Sequence, residues 1–197
     1  MNQSRDQILS IVYMGFYVAL AIVLSWLNKM FPIIQMPNGG SVELYVIALF
    51  IASYHLGWLK GLATAAIFWG VSILFGMNDY MVSFPQTMLD YVIPICVLGM
   101  ASALPRIKLG NFVISNLFVG IVVTMLIKYA SHVLAGVYFW FPEGEAAGSM
   151  AAWIYSAWTY NLGYNLATLI AALILTPILI NAISKIHSVK LVGLKNE

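Results

Sequence analysis

Long, continuously apolar runs separated by short turn signals constrain this chain more than any other feature. They predict helices at about 8–28, 41–57, 61–75, 84–103, 111–139 and 151–183, and one crossing of a bilayer needs roughly 20 apolar residues. The breaks between them are Phe31-Pro32 through Pro37-Asn38-Gly39-Gly40, the Gly57–Gly61 corner, Gly76-Met77-Asn78-Asp79, Leu104-Pro105-Arg106 and Phe141-Pro142-Glu143-Gly144. Barrel strands would be about ten residues of alternating character, so strands are not expected. Of 197 residues 62% are apolar and 8% charged, whereas a soluble domain carries charge on about a quarter of its residues. The expected fold class is an all-α integral membrane protein of six transmembrane helices, forming one membrane domain over 1–197. Its first apolar run is membrane-length and reads as a retained span rather than a signal peptide.

Six spans place both termini on one side. Arg5, Lys60, Arg106, Lys108, Lys185, Lys190 and Lys195 fall on that side, and Lys29 alone falls on the other, so the positive-inside rule makes the first side cytoplasmic. Glu43, Asp79, Glu143 and Glu145 then lie outside or near the outer boundary. A net charge of +2 gives no reason to expect a nucleic-acid partner. The single cysteine, Cys96, sits in an apolar run and supports neither a disulfide framework nor a metal cluster.

Ionisable groups inside spans are costly and tend to be functional. Asp90 lies in the fourth span, Lys128 and His132 in the fifth, and the amides Asn161 and Asn165 in the sixth. At 1.5 Å per residue, Asp90 is about 9 Å, His132 about 10 Å, Lys128 about 16 Å, Asn161 about 15 Å and Asn165 about 21 Å below the outer ends of their helices. Gln86 and Asp90 are four apart, as are Lys128, His132 and Gly136, and Asn161 and Asn165, so each set shares a helical face. Three sequence-distant helices thus place polar groups at similar depth, which suggests one cavity open to the outside. Each residue also has a plainer role: Lys128 and Asp90 as a structural ion pair, His132 as an interhelical hydrogen bond, the asparagines as helix–helix glue.

Aromatic residues crowd the same outer ends: Tyr80, Tyr91, Tyr138, Trp140, Trp153, Trp158, Tyr160 and Tyr164. One reading is a belt at headgroup level. The sharper reading, preferred for Tyr80, Asp90 and Tyr91, is an aromatic box beside a carboxylate, suited to a flat cationic ligand through contacts of about 0.5–2 kcal/mol each. In the first helix Gly15-x-x-x-Ala19, followed by Ala21 and Ser25, forms a small-residue stripe for close packing, either inside the protein or against another membrane subunit. No phosphate loop, zinc-protease motif or nucleophile elbow is present, and Asp90 is the only acidic residue deep in a span, so no catalytic residue is assigned and an enzyme is not expected. The chain is also short for a transporter built of two related halves.

These residues resemble the thiamine-specific S component, the substrate-binding subunit, of energy-coupling factor transporters. The resemblance rests on Ala19-Leu20-Ala21-x-x-Leu24-Ser25, Pro37-Asn38-Gly39-Gly40-Ser41-Val42, Pro85-Gln86-x-x-Leu89-Asp90-Tyr91, Tyr129-x-x-His132-x-x-x-Gly136-x-x-x-Trp140, and Tyr160 with Asn165. It implies a thiamine pocket near the outer surface of a prokaryotic plasma membrane, capped by the first loop. Asp90 would meet the charged or aminopyrimidine part of the vitamin. Trp69, Tyr80, Tyr91 and Trp140 would supply stacking surfaces, and His132, Tyr160 and Asn165 hydrogen bonds. Gly136 joins the lining, with Gln86, Lys128 and Asn161 behind it. Gly15 and Ala19 would dock a transmembrane coupling subunit that works with two ATPases, so ATP hydrolysis would lie in the partners. No cofactor or metal is implied. Asp90 is one methylene shorter than the Glu common at this place in the family, and Gly15 replaces an expected Ala. Alternatives are an S component for another vitamin or a thiamine precursor, or a membrane assembly protein without transport function.

Overall fold

The computed structural model describes residues 3–36, 40–78, 80–186 and 189–194. Pro37, Asn38, Gly39, Asp79 and Lys195, used in the sequence argument, lie outside the described residues. Six helices carry the fold: α1 Gln3–Met30, α2 Tyr45–Leu56, α3 Trp58–Leu74, α4 Phe84–Gly99, α5 Asn116–Phe139 and α6 Met150–Ser184. Three have the length and apolarity to cross a membrane: Arg5–Met30 within α1, then α5 and α6. By contrast, α2 has 12 residues, or about 18 Å of helix, too little for a hydrocarbon core of about 30 Å.

Burial explains how so short a helix is tolerated. Eleven residues of α2, Val46 through Leu56, are buried, so it is the centre of the bundle and meets no lipid along its length. The non-helical residues 40–44 that lead into it are likewise partly or fully buried, and irregular backbone at membrane depth is permitted where protein covers it. Gly57, with φ of 86°, is the single residue between α2 and α3, so the corner is sharper than the expected Gly57–Gly61 turn and helix resumes at Trp58. Where α3 crosses α4, a Cβ on Gly61 would meet the Gly99 carbonyl, and one on Gly99 the Gly61 carbonyl. Only glycine on both helices allows that approach.

Two departures from the expected helices follow from local chemistry. The fifth helix begins at Asn116, not near 111, because Ile107–Leu109 and Phe112–Ile114 form a small antiparallel hairpin. Its two-residue turn, Gly110-Asn111, starts with φ of 61°, the conformation a tight hairpin demands. The expectation of no strands is thereby corrected: turn and helix were expected where a six-residue ladder forms. The second departure is that α4 and α6 each contain a π-helical stretch, Met88–Val92 and Tyr155–Asn161. In the first, Pro94 has no N–H to continue the ladder, and the Ser131 hydroxyl donates to the Leu89 carbonyl at 2.6 Å instead.

The basic residues collect at one end of the bundle. Lys60 Nζ donates to Ser10 Oγ at 2.6 Å, joining the start of α3 to the start of α1. At the same end the C-terminal segment pairs with the end of α2: Val192 N donates to the His55 carbonyl at 3.1 Å and Gly193 N to the Tyr54 carbonyl at 2.8 Å. Asn116 Nδ2 then donates to the Gly193 carbonyl at 2.8 Å.

Candidate functional site

The opposite end of the bundle holds a cavity of about 520 Å³, within the range of small-molecule sites. The two π-helical stretches build one side of it. An extra residue per turn rotates the remainder of the helix about its axis, and such bulges recur at functional sites because they re-aim side chains. They carry Asp90 and Tyr91 on α4, and Tyr155, Ser156, Tyr160 and Asn161 on α6, all of which line the cavity.

Asp90 Oδ2 accepts from Gln86 Nε2 at 2.6 Å and from Trp140 Nε1 at 2.7 Å. Gln86 is itself fixed, since its Oε1 accepts from Val82 N at 3.1 Å and its side chain is fully buried. Both donors are neutral and both use Oδ2, which leaves Oδ1 without a protein donor among the described residues. Tyr80 stands edge-on to Trp140, with ring centroids 6.2 Å apart at 88°. Tyr160 and Tyr164 are similarly perpendicular at 6.2 Å and 85°. The carboxylate therefore sits among aromatic rings, as an aromatic box requires.

Lys128 does not pair with Asp90. Its fully buried ammonium lies 2.5 Å from Glu43 Oε2 and donates to Asn165 Oδ1 at 2.9 Å. The Asp90–Lys128 pairing expected as one reading of the sequence is thus replaced by Glu43–Lys128. The reason is position: Glu43 lies just before α2, and the loop carrying it is pinned inward. Glu43 N donates to Thr168 Oγ1 at 3.1 Å, Gly40 N to the Tyr160 hydroxyl at 3.2 Å, and Asn28 Nδ2 to Ser41 Oγ at 2.9 Å. Glu43 also lines the cavity, so Asp90 is not the only carboxylate there, contrary to the expectation from span positions. Glu43 and Lys128 thus pair with each other, while Asp90 is held by neutral groups.

A hydrogen-bonded chain across α5 and α6 ties the lining residues together. His132 Nδ1 and the Tyr164 hydroxyl are 2.9 Å apart, and that hydroxyl donates to Asn161 Oδ1 at 2.6 Å. Asn161 Nδ2 donates to the Ser156 carbonyl at 2.9 Å, and Asn165 Nδ2 to the Asn161 carbonyl at 2.9 Å. Gly136 makes the helix contact possible, because a Cβ there would run into Ser156 Oγ. These polar groups satisfy one another within the protein, as buried polar groups must, and the network holds the cavity wall rigid.

A sequence model of a family described as thiamine transporter protein (Thia_YuaJ) matches residues 11–188. The thiamine transporter ThiT of Bacillus subtilis is 30% identical over 191 residues, covering 91% of this chain and 92% of the relative. A solved structure of ThiT from Listeria monocytogenes superposes with a TM-score of 0.65 at 16% identity, covering 91% of this chain and 97% of that one; this likeness concerns the fold. The chain belongs to the thiamine transporter family.

For this member of the thiamine transporter family, the structure sorts the residues singled out from sequence into three groups. Tyr80, Asp90, Tyr91, His132, Gly136, Trp140, Tyr160 and Asn161 line the cavity together. Gln86, Lys128 and Asn165 are not among the lining residues, and Asn165 Oδ1 accepts from Lys128 Nζ. Trp69 is not among the residues that line the cavity, and its indole Nε1 is buried without a hydrogen-bond partner among the described residues. On α3 the cavity face is set by Phe68 and Ser72, four residues apart, and Trp69 is turned about 100° away to pack on the core. Among the outer aromatics, Tyr138, Trp153 and Trp158 are exposed outside the cavity, as belt residues would be.

Sequence reasoning missed Glu43, Tyr45 and Tyr155 as lining residues, and it placed Tyr164 only among the outer aromatics. Tyr164 was findable, being four residues from Tyr160 and three from Asn161. Nothing in the sequence marked Glu43 as an inward-facing loop residue. Gly15 and Ala19 lie on the exposed face of α1, and a Cβ at Gly15 would meet nothing within 4 Å. Ala21, by contrast, is fully buried, so the small-residue stripe divides between an outer and an inner face.

Proposed function

We propose that this protein is the membrane-embedded thiamine-binding subunit of an uptake transporter of the energy-coupling factor type. The observation that carries this reading is the state of Asp90: a carboxylate with one oxygen spent on two neutral donors and the other without a donor among the described residues, among aromatic rings, in a cavity of about 520 Å³. Thiamine is a permanent cation with two flat rings and an aminopyrimidine donor, and its charge and shape complement that site. Asp90 Oδ1 meets the charged or aminopyrimidine part, and Tyr80, Tyr91, Trp140 and Tyr160 supply stacking faces worth about 0.5–2 kcal/mol per cation contact. His132 and Asn161 keep the wall in place. The names of the family and of its Bacillus subtilis relative support thiamine over other vitamins.

In this reading the cavity faces outward and the basic end, with both termini, faces the cytoplasm of a prokaryotic cell, as the positive-inside rule favours. The exposed face of α1 with Gly15 and Ala19 docks a transmembrane coupling subunit, and paired ATPases on that subunit supply the energy. The chain then needs no catalytic residue, cofactor or metal of its own. Titrating detergent-purified protein with thiamine, riboflavin and thiamine diphosphate, read by tryptophan fluorescence, tests the ligand assignment. Saturable quenching by thiamine at concentrations where riboflavin has no effect is expected. A flat thiamine titration of folded protein would refute it.

A further inference from the structure

The cavity has a second pole, away from Asp90, where α1 ends. Ser25, Asn28, Lys29, Ser72 and Asn78 line it. Asn28 is only 8% exposed, and its Nδ2 donates to Ser41 Oγ at 2.9 Å. Asn28 Oδ1 and Ser25 Oγ, one turn earlier, are buried and without a hydrogen-bond partner among the described residues. Leaving a buried acceptor unsatisfied costs about 1–3 kcal/mol, and here two converge on one cavity from the same helix.

Three other polar side chains at this pole make hydrogen bonds of their own. Asn78 Nδ2 donates to Ser72 Oγ at 2.8 Å, the Ser72 hydroxyl to the Trp69 carbonyl at 2.6 Å, and Lys29 Nζ to the Gly76 carbonyl at 2.9 Å. What Asn28 Oδ1 lacks is a donor, and the Ser25 hydroxyl one turn away can accept from the same ligand group. We infer that Ser25 and Asn28 form a subsite that accepts a hydrogen bond from an uncharged O–H or N–H group of the bound ligand, with the ligand's positive charge held at the Asp90 pole. The site thereby reads both ends of one molecule. This inference rests on the thiamine reading above. Thiamine offers such a donor at either end, the alcohol of its hydroxyethyl arm and the amine of its pyrimidine.

A double-mutant cycle between protein and ligand tests it. Thiamine, an analogue with the hydroxyl replaced by hydrogen, and an analogue lacking the pyrimidine amine are titrated against wild type, Asn28→Leu and Ser25→Ala. Ser25→Ala leaves the Asn28–Ser41 bond intact and guards against a variant that fails to fold. The subsite predicts that one analogue binds wild type at least about fivefold more weakly than thiamine, and that this ratio falls below about twofold in the variants. The analogue affected identifies which donor is read. Ratios unchanged between wild type and both variants would overturn the subsite while leaving the thiamine reading standing. A flat titration of wild type with thiamine would overturn both.

Discussion

Replacing Lys128 by Met removes the positive charge paired with Glu43 and leaves that carboxylate in the cavity wall. Lys128 is fully buried and Glu43 is 21% exposed, with 2.5 Å between ammonium and carboxylate. Breaking a fully buried pair costs about 3–5 kcal/mol, chiefly because the abandoned charge stays buried. Glu43 reaches the cavity, where water can partly solvate it, so a smaller cost of about 2–3 kcal/mol is expected. For a chain of this size each kcal/mol lowers the unfolding temperature by about 2–4 °C, so Lys128→Met unfolds about 5–10 °C below wild type. Adding Glu43→Gln to it removes the stranded charge and recovers most of that loss. Thermal unfolding in detergent, followed by tryptophan fluorescence on the two single variants and the double variant, measures the coupling directly. The reasoning is refuted if Lys128→Met unfolds within about 2 °C of wild type, or if the double variant is no more stable than Lys128→Met.

Two further substitutions probe close approaches. Gly136→Ala drives a methyl group into Ser156 Oγ, separating α5 from the π-helical part of α6; overpacking of this kind costs about 1–3 kcal/mol, and weaker thiamine binding should accompany a lower unfolding temperature. Thermal unfolding with and without thiamine measures both. At the basic end, a Cβ on Gly193 would lie 2.6 Å from Ser102 Cβ and 2.7 Å from the Ser53 carbonyl, so Gly193→Ala should displace the C-terminal segment from α2. Faster hydrogen exchange at Val192, with ligand binding unchanged, is the expected result.

The parts of this molecule readable from sequence are those carried by helical periodicity and by the cost of polar groups in lipid. Asp90, His132 and Asn161 announced a shared cavity because each lies at similar depth on a different helix, and they do line it. Periodicity failed where the backbone leaves the 3.6-residue repeat. The π-helical stretch of α6 decides which of Tyr155, Ser156, Tyr160 and Asn161 face inward, and no α-helical wheel places all four there. The rotation of α3 was illegible for a related reason: apolar composition is equally compatible with Phe68 or Trp69 facing the cavity, and Phe68 is the one that lines it. The partner of Lys128 was hidden because Glu43 belongs to a loop. Only the tertiary anchors on Thr168, Tyr160 and Asn28 fold that loop into the bundle. The hairpin at Ile107–Ile114 was masked by its apolar residues, although Gly110-Asn111 is a recognisable turn.

The central claim is that Asp90 Oδ1 anchors the ligand, and Asp90→Asn tests it with the least disturbance. The asparagine carbonyl can still accept from Gln86 and Trp140, so the wall keeps its hydrogen bonds while the charge and one acceptor are lost. Losing a charge-assisted bond in a desolvated site costs about 2–3 kcal/mol, or roughly 30- to 150-fold in affinity. Calorimetric titration of thiamine into wild type and Asp90→Asn, with matched unfolding temperatures in the absence of ligand, is the measurement. A loss in that range at unchanged stability is predicted. Equal affinities of the two proteins would contradict the account.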